Sequence, residues 1–285
     1  GVLLRQPDLG TVSLKADVDG TESKAEGVAV NFKTIIEHIE YKKYKYQGIN
    51  ADGKLEKEKF TGNLLIDDPN ISMGFYGLFD FSDKRLKINA KANLLQSNLT
   101  ALNLIKNDSV TLVADFDLDW EGVSIDDFTG YAKLYNIDLV RNGHKLDLDS
   151  IYVNAIETGT DKLLTIQSNA FSAKIQGRYQ LSTLGNSFQY YVSGYLPNYI
   201  KAPDGAAPEQ DISFELTTND LDSLFGVLMP SMSGFNKATV NGYLNTSKQQ
   251  LELNATIPSG KVNGIALLNT TVTARGNFNT LTATA

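Results

Sequence analysis

Residues 110–120, VTLVADFDLDW, alternate without a break. Val110, Leu112, Ala114, Phe116, Leu118 and Trp120 fall on one side, and Asp115, Asp117 and Asp119 on the other. Successive side chains of an extended strand point to opposite faces, so this stretch reads as a strand with one apolar and one solvated face. Wound as a helix, the same residues would scatter carboxylates through the apolar stripe. The rhythm recurs through the chain: Val12 to Val18, Val28 to Phe32, Phe60 to Ile66, Ile71 to Phe81, Leu86 to Ala92, Phe128 to Leu134, Phe171 to Leu181, Leu251 to Ile257 and Val272 to Phe278. Turn signals such as Asn142-Gly143 and Asn263-Gly264 punctuate it. The pattern implies an all-β fold.

Helical spacing is scarce. Leu221, Leu224, Phe225 and Leu228 stand at i, i+3, i+4 and i+7, with Asn219 or Asp220 as a cap and Pro230 as a stop, which predicts a short helix over 219–229. Leu184, Phe188, Tyr191 and Tyr195 predict a second, capped by Ser182 and ended by Pro197. Leu95, Leu99 and Leu102 give a weaker third within 94–105. Residues 196–210 hold three of the seven prolines. The expected organisation is therefore a β-rich segment over 1–196, a proline-rich connection over 197–210 and a continuing β segment over 211–285.

An apolar residue two places before a glycine recurs inside strands: Phe60-Thr-Gly62, Phe75-Tyr-Gly77, Phe128-Thr-Gly130, Ile175-Gln-Gly177 and Val240-Asn-Gly242. Glycine there relieves crowding beside a large side chain on a coiled sheet. A repeated bending device along a repetitive sheet is a second, compatible reading.

The chain of 285 residues carries 26 basic and 33 acidic residues, a net charge of −7. That balance argues against nucleic acid or an anionic membrane surface as the main partner. The one dense basic stretch, Lys42-Lys43-Tyr44-Lys45, reads as a solvated strand face. With no cysteine, disulfides, thiol catalysis and zinc–thiolate sites are excluded. No run of 18 apolar residues is present, and the opening residues are not expected to act as a signal peptide. Both ends stand in strand rhythm, so an excised fragment of a longer protein is expected.

Reactive chemistry finds little support. Only His38 and His144 occur, neither with a triad partner at a known spacing. No nucleophile elbow, phosphate loop, zinc-protease or dinucleotide motif appears. Asp115, Asp117 and Asp119 sit about 7 Å apart on one strand face and lack the loop of a calcium site. Asp147 and Asp149 read the same way, and Asp67-Asp68-Pro69 reads as a turn. No catalytic residue, metal or cofactor is therefore expected. Ser109, Ser150 and Ser223 each follow an aspartate and precede an apolar residue, a short O-glycosylation acceptor pattern of some Bacteroidetes envelope proteins.

The stretch FTGNLLIDDPNISMGFYGLFDFS, residues 60–82, resembles the TamB branch of the AsmA-like envelope proteins (translocation and assembly module) of Bacteroidetes. Asp67-Asp68-Pro69-Asn70, the strand from Phe75 to Phe81, Leu99 to Leu104 and Ile125 to Gly130 carry the likeness, which is best over residues 50–200. These motifs are structural and name no reactive residue. The resemblance implies an elongated, curved antiparallel β-sheet shaped as a trough (a β-taco) with two or three short helices. It also implies a periplasmic location in a protein anchored in the inner membrane, and a groove that passes phospholipid acyl chains toward the outer membrane. An outer-membrane barrel protein of the TamA or BamA type is the implied partner. The candidate lining is Leu64, Ile66, Met73, Phe75, Phe79, Phe81, Leu112, Phe116, Leu118, Trp120, Phe128, Leu134, Phe171, Ile175 and Tyr179. Two other readings stay open: an interaction module that assists barrel assembly through strand edges, and a β-rich enzyme or carbohydrate-binding protein.

Overall fold

Alternation along the chain becomes nineteen strands and two helices among the described residues, 65% strand and 8% helix. The computed structural model describes residues 8–23, 27–195, 198, 201–205, 209–277 and 281–284. The fold is all-β and mostly antiparallel. The chain divides into two compact units. Unit 1 comprises residues 1–121 and 132–150, and unit 2 comprises residues 122–131 and 151–285.

Unit 1 is a meander of β1 (Leu9–Ser23), β2 (Gly27–Tyr41), β3 (Tyr44–Tyr46), β4 (Ile49–Glu56), β5 (Lys59–Asp68), β6 (Ile71–Asp80), β7 (Leu86–Ser97) and β8 (Val110–Gly122). Most of β9 (Thr129–Arg141) and all of β10 (His144–Lys145) complete it. Antiparallel pairs join β1–β2, β2–β4, β4–β5, β5–β6 and β6–β7. Side-chain pairs continue the ladder from β7 to β8: Asn93 Nδ2 donates to Asp115 Oδ1 at 2.6 Å, and Lys91 lies 3.5 Å from Asp117. The connections are tight. Asp68, 5% exposed, holds the turn into β6 by accepting from Tyr44 Oη at 2.5 Å, Gln47 N at 3.0 Å and Asn70 N at 2.9 Å.

Unit 2 contains β11 (Ser150–Thr158), β12 (Asp161–Ser168), β13 (Phe171–Arg178), α1 (Leu181–Tyr195), β14 (Asp211–Thr218), α2 (Asp222–Leu228), β15 (Met232–Gly234), β16 (Thr239–Asn245), β17 (Gln250–Val262), β18 (Ile265–Gly276) and β19 (Leu281–Thr284). Its sheet runs β11–β12–β13–β14–β16–β17–β18–β19 with antiparallel registers throughout. Of the expected connection over 197–210, the described residues 198, 201–205 and 209–210 belong to this unit, and Pro197, the expected stop of α1, lies outside the described residues. The strands on either side of that excursion pair directly, from Phe171↔Thr218 to Arg178↔Asp211.

Four local expectations change. Helix α2 spans Asp222–Leu228 instead of 219–229, and Leu221 stands at its cap position with no side-chain cap hydrogen bond, in place of Asn219 or Asp220. No helix forms over 94–105: Leu95 lies exposed on β7, and residues 99–104 form turns closed by Leu104 N–H to Leu99 O at 2.9 Å. Asn98 sets those turns by accepting the Ala101 N–H on its side chain at 3.0 Å, so the leucine spacing came from a strand end followed by a turn. The run from Phe171 breaks after Arg178, and Leu181 opens α1. Ser182 lies inside α1, whose first turn donates from Ser182 N and Oγ to the Asp126 carboxylate at 2.8 and 2.6 Å. The anion that offsets the helix's N-terminal dipole thus comes from a distant loop. Lys42 and Lys43, finally, form the two-residue turn between β2 and β3 instead of a strand face.

Glycines let rings lie flat across neighbouring strands. Gly53, Gly62 and Gly77 pair in one row across β4, β5 and β6. A Cβ on Gly53 would meet the Phe60 ring at 2.5 Å, and one on Gly62 would meet Asp52 O at 2.3 Å. In unit 2, a Cβ on Gly242 would meet Glu252 O at 2.2 Å and the Phe214 ring at 2.5 Å. This is the crowding-relief reading, with the ring shielding the bare backbone of a glycine on the neighbouring strand.

Candidate functional site: an apolar sheet face

Cross-strand register assembles one continuous face in unit 1. Ile36, Ile49, Ile66, Met73 and Leu94 form its first row across β2, β4, β5, β6 and β7. Thr34, Ala51, Leu64, Phe75 and Ala92 form the second. Phe32, the three glycines and Ala90 form the third, and Val30, Leu55, Phe60, Phe79 and Ile88 the fourth. Because Asp115, Asp117 and Asp119 meet Asn93, Lys91 and Asn89 on the other face, alternation carries Leu112, Phe116, Leu118 and Trp120 onto the apolar one.

Aromatic rings run along this face. Phe32 stacks on Phe60 with centroids 5.7 Å apart, Phe60 on Phe79 at 6.1 Å, Phe79 on Phe75 at 5.4 Å and Phe79 on Phe81 at 6.2 Å. Such offset pairs add stabilisation beyond area burial. The face is not a closed core. Leu64, Met73, Phe75, Phe79, Leu112, Phe116, Leu118, Trp120 and Leu134 are only half-buried, and Phe81 is exposed. Ile66 alone of the unit 1 candidates is buried, and Ile49, Ala90, Leu94, Val110 and Ala114 of the same face are buried with it. No helix lies among the described residues of unit 1.

The candidates in unit 2 stand in another setting. Tyr179, Tyr191, Ile212, Leu244 and Leu251 form a buried cluster with Ala155 and Leu164, and Phe128, Ile175, Leu181, Leu184, Phe188 and Phe214 pack against it. Helix α1 supplies Leu181, Leu184, Phe188 and Tyr191, so it covers this sheet face. Tyr191 Oη donates to Asn245 O at 3.0 Å, and Phe188 meets Phe214 edge-on at 5.4 Å. Burial, with a smaller contribution from Glu157, pushes the Tyr179 hydroxyl up to about 12. Phe171, at the start of β13, is half-buried. Phe128, Ile175 and Tyr179 are therefore core residues of a helix-covered face, while most of the unit 1 candidates are half-buried on a face that no helix of their own unit covers among the described residues. Sequence reading had missed Phe32, Phe60 and Ile88 as members; their parity in the strand runs was the available signal.

The polar groups are occupied structurally. Asp115 accepts from both Asn93 and Asn136 at 2.6 Å. Asp80 is held down to about 2, first by the Ser82 hydroxyl and N–H and then by Lys59 at 3.0 Å. Hydrogen bonds from Asn142 and Arg141 hold Asp108 below the usual carboxylate range. His38 lies 3.4 Å from Thr11 Oγ1. Ser109 is exposed, whereas Ser150 and Ser223 are half-buried. Among the described residues no group of three His, Asp or Glu side chains is placed to hold a metal ion. No protein-family model, curated protein or solved structure matches the chain.

Proposed function

We propose that the half-buried apolar face of unit 1 binds phospholipid acyl chains, as part of a TamB/AsmA-like envelope protein that conducts lipid between the inner and outer membranes. In this reading the chain works in the periplasm as part of a protein anchored in the inner membrane, and is not an enzyme. The observation that carries the proposal is the half-buried aromatic run Phe32–Phe60–Phe79–Phe75 in a unit that contains no helix among its described residues. Each methylene kept from water is worth about 0.8 kcal/mol. A face without a polar pocket holds tails at many positions with similar energy, which favours sliding. The other end of the path would be an outer-membrane barrel protein of the TamA or BamA type.

Trp120, the only tryptophan, lies on this face and reports contact with tails. Short-chain phospholipid brominated on its acyl chains is expected to quench Trp120 emission, and the unbrominated lipid is not. A photoreactive residue at Leu118 should crosslink phospholipid in the same samples. Phe116→Asp should abolish quenching and crosslinking while the melting curve stays cooperative. Equal emission with both lipids, together with no crosslink, overturns the proposal.

A second reading has one observation in its favour. Residues 265–272 of β18 pair with β17 on one side and, among the described residues, with nothing on the other, and Ile265 and Leu268 there are each 70% exposed. Such an edge suits strand addition by a β-barrel substrate. A proline at Thr271 should block that addition and leave lipid quenching unchanged.

A further inference from the structure

The basic stretch 42–45 is not absorbed by the apolar face. Lys42 and Lys43 form a two-residue hairpin turn with φ of 50° and 65°. Across from them stand the turns that follow β7, and Asn103 Nδ2 donates to Lys42 O at 3.1 Å over 61 residues of sequence. Between the two segments lies a cavity of about 510 Å³ lined by Lys42, Lys43, Lys106, Asn103, Leu104 and a single carboxylate residue, Asp8. Lys42 Nζ sits 5.7 Å above the Tyr41 ring, and none of the three lysines has an ion-pair partner among the described residues. The cavity stands at the end of unit 1 where the face begins with Ile36, Ile49, Ile66, Met73 and Leu94, since β2 and β7 both run out there.

We infer that this cavity holds the phosphate of an anionic phospholipid headgroup whose tails lie on the apolar face. The inference rests on the lipid-binding reading above and adds a polar determinant to it. Three ammonium groups beside one carboxylate, in a chain of net charge −7, make a local positive field that selects an anion. Leu104 supplies an apolar side at the cavity, and the row of Ile36 begins five residues back along β2 from Tyr41, about 16 Å away and within the length of an acyl chain. Both lysines occupy left-handed positions that hairpins of this length normally give to Asn-Gly, as Lys57 and Glu58 do in the turn between β4 and β5.

That preference supplies a clean variant. Lys42→Asn with Lys43→Gly removes both charges and suits the turn better, and Lys106→Gln removes the third. The triple variant is expected to melt no lower than the parent chain. Binding is read by Trp120 quenching with brominated short-chain phosphatidylglycerol and phosphatidylcholine, below their critical micelle concentrations. The parent should prefer phosphatidylglycerol, and the triple variant should lose at least about tenfold of that affinity with phosphatidylcholine binding unchanged. Equal binding of phosphatidylglycerol by parent and variant overturns the headgroup inference and leaves the face reading standing. Inorganic phosphate that displaces phosphatidylglycerol at equal concentration also overturns it, making the cavity a simple anion site. Absence of quenching by either lipid in the parent removes the face reading and this inference together.

Discussion

The two units use one construction and finish it differently. In unit 1 the Phe60 ring lies against Gly53 and Gly62, and in unit 2 the Phe214 ring lies against Gly242. Unit 2 then lays α1 over its face, burying Tyr191, Ile212 and Leu244 completely, while unit 1 leaves Phe75, Phe79 and Trp120 half-buried. The difference lies in the connections. Neighbouring strands β5 and β6 are joined by residues 69–70, and β13 and β14 by residues 179–210. Only the second is long enough to send a helix across the sheet. That helix contains Ser182, Thr183, Gly185, Asn186, Ser187, Ser193 and Gly194, all poor helix formers, so packing on the sheet holds it helical more than propensity does.

Two intrinsic probes separate the units. Trp120 reports unit 1, and both helices, hence the helical ellipticity, belong to unit 2. The largest expected contrast comes from placing one charge on each face. Ile212→Asp buries an unpaired carboxylate at a fully buried position and should cost about 4 kcal/mol or more, abolishing the helical signal in mild urea. Phe79→Glu gives up ring contacts at a half-buried site and should cost about 2 kcal/mol, with unit 1 still folded by Trp120 emission. Equal losses would show that the unit 1 face is as closed as the other.

The glycines test what the units share. A Cβ at Gly62 or Gly242 would run into backbone oxygen, so Gly62→Ala and Gly242→Ala should each cost about 2–3 kcal/mol, the first seen by Trp120 and the second by ellipticity. Gly74 has nothing within 4 Å of its Cβ position, and Gly74→Ala should change stability by less than about 0.5 kcal/mol. If all three behave alike, close approach of the neighbouring strand is not what fixes these glycines.

How far the sequence could be read follows from the range of each interaction. Strand identity rests on neighbouring side chains, so runs such as Ile71 to Phe81 and Val110 to Trp120 announced their faces directly. The helix of residues 181–195 was equally visible in Leu184, Phe188 and Tyr191. What alternation could not supply was the partner of each face. That Phe128, Ile175 and Tyr179 lie beneath a helix depends on α1 folding back, a long-range contact with no local signature. The anchoring of Ser182 by Asp126, 56 residues away, and of Lys42 by Asn103, 61 residues away, is hidden for the same reason. Leu95, Leu99 and Leu102 misled because a strand end and a turn mimic a helical spacing over so short a span.

Within unit 2, Tyr191 measures how firmly the cover is held. Tyr191→Phe keeps the ring and removes the buried bond to Asn245 O, stranding that carbonyl. A loss of about 1–2 kcal/mol is expected, read as an earlier fall of helical ellipticity in urea with the Trp120 transition unmoved. A shift of both transitions together would show that the units unfold as one.

The smallest expected effect is a pH dependence of the same cover. Hydrogen bonds from the Ser182 hydroxyl and then its N–H hold the Asp126 carboxyl below the usual carboxylate range, with a lesser contribution from Lys162. A folded-state pKa below the unfolded value of about 3.9 means that the unfolded chain binds the proton more readily. The stabilisation is therefore complete above about pH 5 and disappears as pH falls through the folded-state value. Asp211, tied to Arg178 and Tyr243, shifts in the same direction, so acid alone does not isolate Asp126. The difference between the parent chain and Asp126→Asn does. It should be a fraction of a kcal/mol, because the half-buried residue still leaves its carboxylate open to solvent screening, constant from pH 5 to 8 in the range set by that linkage, and should shrink toward zero in stronger acid. A difference that is independent of pH, or that appears in Trp120 emission instead of the helical signal, would show that this carboxylate does not hold α1 on the sheet.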